Sequence, residues 1–212
     1  MRTVLLDVRR LRATALAFLL LALAAPAADA YVVGGNPWPG STITYWVAAK
    51  RYSAGVATAA RNWNRSKVGI RFARASRSSA DVVVGYGGPR CGGETVMGYG
   101  GYDESTTVYL GAGCSGSLIS LTATHEFGHV LGLDHENSKC ARMNASFEPN
   151  GTPSHCGSHS LAYWLAHPLR PDDVKGAKAI YRSSGRTPNT DSSPDHPYYD
   201  DHNPRRDPWD RF

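Results

Sequence analysis

Thr42-Ile-Thr-Tyr-Trp-Val47 alternates polar and apolar side chains, the period of a strand with one buried face. The period then changes. Ser53 stands as an N-cap, and Val56, Ala60 and Trp63 share one helical face up to Ser66. Ile70–Ala73 alternates again, and Asp81–Gly85 is a short apolar run of the buried-strand type. Glycine dominates from Gly85 to Tyr102, which predicts a loop with a short edge strand around Thr95–Tyr99. Thr106–Leu110 reads as the next strand, and Ser117–Leu131 as a helix that Gly132 can end. Residues 134–168 carry few periodic signals, and Asp172–Tyr181 reads as a last helix opened by Pro171. Strands and helices are mixed, and the strand–helix–strand start suits a right-handed crossover.

The two ends depart from this pattern. Arg9, Arg10 and Arg12 precede the apolar stretch Ala13–Ala25, and Ala28-Asp29-Ala30 fits a small-x-small cleavage site. Residues 1–30 therefore read as a secretory signal peptide, and the protein as secreted and extracellular. The stretch is shorter than the ~20 apolar residues of a spanning helix. No membrane partner is expected after cleavage. From Ser184 onward, Pro188, Pro194, Pro197, Pro204 and Pro208 sit among Asp, Asn, Ser and Arg with no apolar period. Residues 184–212 thus read as a disordered tail, and 31–183 as one globular domain. The composition, 42% hydrophobic and 19% charged, is that of an ordinary globular chain. A net charge of +5 with no basic face does not point to nucleic acid, and a monomer is expected.

Export gives the cysteines a meaning. Cys91, Cys114, Cys140 and Cys156 are even in number, and in an oxidising compartment they default to two disulfides with three possible pairings. Cys91–Cys114 and Cys140–Cys156 are favoured because each closes a local loop.

Candidate chemistry concentrates in His125-Glu126-Phe127-Gly128-His129-Val130-Leu131-Gly132-Leu133-Asp134-His135. On a helix, His125 and His129 lie one turn apart on the same face, a spacing that lets two imidazoles reach one Zn²⁺. Gly132 tolerates positive φ, so the chain can leave the helix sharply and return His135 as a third ligand. Three imidazoles leave a coordination position open, as in a catalytic site. Glu126 stands beside the first ligand, where it can bond a water on the metal without entering the ligand set. The chance of this spacing arising at random is below roughly one in ten thousand.

The stretch resembles the extended HExxHxxGxxH signature of the metzincin metallopeptidases. Met143 resembles the family's Met-turn, and Leu-Gly-Leu-Asp-His is similar to the matrixin branch, the matrix-metalloproteinase-like catalytic domains. The resemblance runs more weakly over residues 38–183, including Ala80–Val84 and Asp172-Asp173. It implies an α+β fold: a twisted, mostly parallel five-stranded sheet with an antiparallel edge strand and three helices. It also implies a zinc endopeptidase acting on protein or peptide, with His125, His129 and His135 on the metal and Glu126 as general base. Asp173 would support the Met-turn backbone, and the loop after Met143 would wall the pocket beside the scissile bond, with Phe147, Leu161 and Tyr163 as candidates. Where the family's structural zinc and calcium ligands fall, this chain has Gly98 and Leu110-Gly111-Ala112. One catalytic zinc is therefore expected, and calcium is unsupported. Pro89-Arg90-Cys91-Gly92 is similar to the family's cysteine switch but lies between two strands of the domain, and a free Cys91 would leave Cys114 unpaired. An exported zinc-containing binding or inhibitor-like module is the alternative function. Glu126 argues against it, because zinc binding alone does not require that carboxylate.

Overall fold

A computed structural model describes residues 30–101, 105–114 and 116–183. The expected signal peptide, apart from Ala30, and the expected tail lie outside the described residues. Five strands, β1 (Thr42–Val47), β2 (Arg71–Arg74), β3 (Val82–Tyr86), β4 (Gly93–Thr95) and β5 (Thr106–Leu110), form one sheet in the order β2-β1-β3-β5-β4. All neighbours are parallel except β4, which runs antiparallel to β5 at the edge. Three helices of 13 or 14 residues accompany it: α1 (Ser53–Ser66), α2 (Ser117–Val130) and, after a six-residue α3 (Leu161–Ala166), α4 (Pro171–Ser183). This is the expected α+β architecture.

Alternation in β1 sends Ile43, Tyr45 and Val47 to one face, where they are buried beside Phe72, Val82, Val84 and Val108. Helix α2 lies on that face. The Phe127 ring stacks on Phe72 at 4.4 Å and meets Tyr45 edge-on at 5.7 Å. Helix α1 packs along α2, and the buried Trp63 indole N–H donates to the Thr124 carbonyl at 2.8 Å. That bond satisfies the one polar atom of a large core side chain. Almost the whole of α2 is buried, in keeping with a helix apolar on most sides.

Two elements differ from the sequence expectation. The edge strand is Gly93–Thr95 rather than Thr95–Tyr99. Gly98 takes a left-handed φ of 69°, and its N–H bonds the His129 carbonyl at 2.9 Å, which draws the chain out of the sheet. Helix α3 falls in the stretch without periodic signals, because six residues carry too little periodicity; Ser160 caps it by accepting the Tyr163 N–H at 3.2 Å.

Disulfides join Cys91 to Cys114 and Cys140 to Cys156. Sequence separations of 23 and 16 residues correspond to roughly 3 kcal/mol of denatured-state restriction each. The segment following Ala30 straps the end of α2: Gly34 and Gly35 N–H groups converge on the Gly132 carbonyl, and Asp134 N–H bonds the Val32 carbonyl. No helix among the described residues is long and apolar enough to cross a membrane.

Candidate metal centre

Helix α2 brings His125 and His129 to one face, buried at 5% and 7% exposure. The Nδ1 of each ring lies 2.8 Å from a carbonyl, Arg142 for His125 and Leu133 for His129. A carbonyl only accepts, so each Nδ1 carries the proton and each Nε2 is left as a bare lone pair. Burial lowers both rings from the usual histidine range, His129 to about 4, which keeps them neutral. Gly132 ends the helix with φ 95°, and the chain turns back to place His135 against the pair. The Nε2 of His129 is 3.1 Å from that of His125 and 3.2 Å from that of His135. All three donor atoms lie within 4.8 Å of one another.

A floor is built beneath these rings. Met143 is buried at 2%, its side chain seated against Gly128, where an added Cβ would come within 3.0 Å of the methionine methyl. The fourth residue of the His-Glu-Phe-Gly-His run is therefore glycine for room. Asp173, also 2% exposed, accepts the N–H of Arg142 at 2.9 Å and of Met143 at 3.0 Å. It also accepts the Arg170 N–H at 2.6 Å, so one carboxylate ties the start of α4 to the turn that orients His125. Burial raises its pKa, opposed by these donors and the Arg142 charge.

Glu126 is 2% exposed, and burial pushes its carboxyl up to about 7, with the Thr95 hydrogen bond pulling the other way. Thr95 Oγ1 donates to Glu126 Oε2 at 2.7 Å. Both residues line a cleft of about 730 Å³ together with the three histidines, the Gly92–Gly93 segment and the wall Leu118, Leu121 and Phe147. The Phe147 ring stands edge-on to His125 at 5.0 Å. Leu161 and Tyr163 do not line this cleft; Tyr163 stacks between His159 and His167 instead.

Sequence reasoning did not find Thr95, nor the network behind His135. There the buried Asn144 amide donates to the Glu136 and Lys139 carbonyls, while the Glu136 carboxylate accepts from Ser138 and Lys139. Arg142 is likewise buried, its guanidinium donating to the Pro168 and Gly151 carbonyls.

The donor chemistry fits zinc. Two unprotonated Nε2 atoms facing each other at 3.1 Å have no hydrogen to share, and a cation between them relieves the opposed lone pairs. The parallel sheet with one antiparallel edge and a histidine pair on a buried helix define the catalytic domain of a metzincin-type zinc peptidase. A family model described as "Astacin", a peptidase family, matches residues 33–145. The chain belongs to that family, and it is a zinc metallopeptidase in general class. It is also similar to human matrix metalloproteinase-20, 27% identical over 173 residues covering 69% of this chain and 33% of that protein. Human matrix metalloproteinase-27 is 33% identical over 111 residues, covering 52% of this chain and 18% of that protein. Rat stromelysin-3 is 34% identical over 93 residues, covering 44% and 15%. The chain thus spans a third or less of the length of these relatives.

Proposed function

We propose that the mature chain is a secreted zinc endopeptidase with matrixin-like action on unstructured protein or peptide, His125, His129 and His135 holding a single zinc. Zinc at those imidazoles supplies Lewis-acid polarisation of a scissile carbonyl and acidifies water. Glu126 accepts the proton of the attacking water on its carboxylate and passes it to the departing amine nitrogen. The outer edge of β4 borders the cleft, and an extended peptide can add to it as a further strand. Phe147, Leu118 and Leu121 offer an apolar wall to the side chain that follows the scissile bond. Asp173, through the Met143 and Arg142 backbone, keeps His125 oriented.

The observation that carries the proposal is the pairing of three convergent imidazoles with a buried carboxylate that belongs to none of their hydrogen bonds. Glu126→Ala tests it. The variant is expected to retain one zinc per chain by metal analysis and to lose about 10²–10⁴-fold in peptide hydrolysis. Cleavage at the wild-type rate would remove Glu126 from the mechanism.

A further inference from the structure

We propose that Thr95 is a positioning residue for Glu126, so that the edge strand bordering the cleft also sets the orientation of the carboxylate that moves the proton. The inference rests on the reading of Glu126 given above.

Two adjoining observations carry it. Residues two apart in a strand share a face, and Gly93 and Thr95 both meet the Glu126 side chain of α2. Pairing with β5, Gly93 opposite Leu110 and Thr95 opposite Val108, fixes that orientation. At Gly93 an added Cβ would lie 2.6 Å from both Cδ and Cγ of Glu126. The absent side chain is what lets the strand lie flat against the carboxylate. At Thr95 the hydroxyl donates to Oε2 at 2.7 Å. Among the described residues, no other group donates a hydrogen bond to that carboxylate. Glu126 leaves α2 on a side chain with three rotatable bonds, and nothing on its own helix holds the end. Steric contact from Gly93 and the hydrogen bond from Thr95 together select one rotamer. Oε2 is engaged by Thr95, and Oε1 remains free of protein donors as the proton acceptor.

Such a contact acts on geometry during the reaction rather than on peptide capture. The backbone of β4, which would pair with a substrate, is left intact when the hydroxyl is removed. The predicted effect therefore falls on kcat and spares KM.

Thr95→Val keeps the branched, strand-favouring shape and replaces the hydroxyl by a methyl, whereas Thr95→Ser keeps the hydroxyl. Steady-state cleavage of a fluorogenic unstructured peptide is the first readout. Thr95→Val is expected to lower kcat by about tenfold or more with KM within about twofold and zinc content unchanged, and Thr95→Ser to recover to within about threefold. The second readout is the set of three-bond NMR couplings along the Glu126 side chain in zinc-free protein. A single rotamer is expected in the wild type and Thr95→Ser, and averaged couplings in Thr95→Val. Wild-type kcat in Thr95→Val, fixed couplings in that variant, or a serine variant as poor as the valine one would each overturn the proposal. A wild type that cleaves no peptide would overturn the peptidase reading instead, while the couplings would still decide whether Thr95 holds Glu126.

Discussion

A carboxylate as deeply buried as Asp173 has to be matched by donors, and three backbone N–H groups converge on it. Two of them belong to the turn whose Arg142 carbonyl fixes the His125 ring. The side chain therefore does more than cap the first turn of α4. Asp173→Asn replaces an acceptor oxygen by an NH₂ that faces N–H groups. The variant is expected to lose about 10–100-fold in zinc affinity or turnover, measured by competition with a chromogenic chelator. Among the described residues, Asp172 accepts only a 3.4 Å bond from Ala30, so Asp172→Asn is expected to change zinc affinity far less. Equal, small effects from both would leave Asp173 with capping alone. The histidines, Glu126 and the acidic pair were legible in the chain because their spacing is local to one helix or one turn. Thr95 was not, since it meets Glu126 across a sequence separation of 31 residues and only folding brings them together.

At the scale of elements, the helix exit at Gly132 decides whether a third imidazole reaches the other two. Its φ of 95° is one that a side chain resists, and an added Cβ would stand 2.9 Å from the Gly35 carbonyl. Gly132→Ala is expected to destabilise the domain by at least about 1–2 kcal/mol, the cost of a left-handed conformation for an L-residue. Chemical denaturation measures that loss, and zinc competition should show weaker binding alongside it. A variant as stable as the wild type with full zinc affinity would mean that the turn does not constrain His135. Helix α1 and strand β1 were readable because burial of one face dictates their side-chain period, whereas β3 stood out as a short apolar run and α2 as a stretch apolar on most sides. Strand β4 and helix α3 were not. The first is three residues whose position is set by pairing with β5, and the second is a six-residue helix packed through Trp164.

For the molecule as a whole, the sheet and α1 form a platform that holds α2 rigidly, and the segments around the metal centre are tied to it separately. The Cys91–Cys114 bridge anchors the approach to β4, and Cys140–Cys156 closes the loop that carries Met143. The strap from Val32 to Asn36 holds the end of α2 through Gly132, Asp134 and Gly98. Both pairings follow the local loop closure expected from the chain, whereas the strap could not be read, because glycine and backbone bonds leave no side-chain pattern. All these ties converge on one cleft, so the central claim concerns what that cleft does with zinc. The direct measurement is proteolysis of an unstructured protein by the purified protein, followed by electrophoresis, with and without a zinc chelator and after zinc is restored. Cleavage that stops on chelation and returns with zinc is the expected result. Intact substrate in the presence of fully zinc-loaded protein would contradict it.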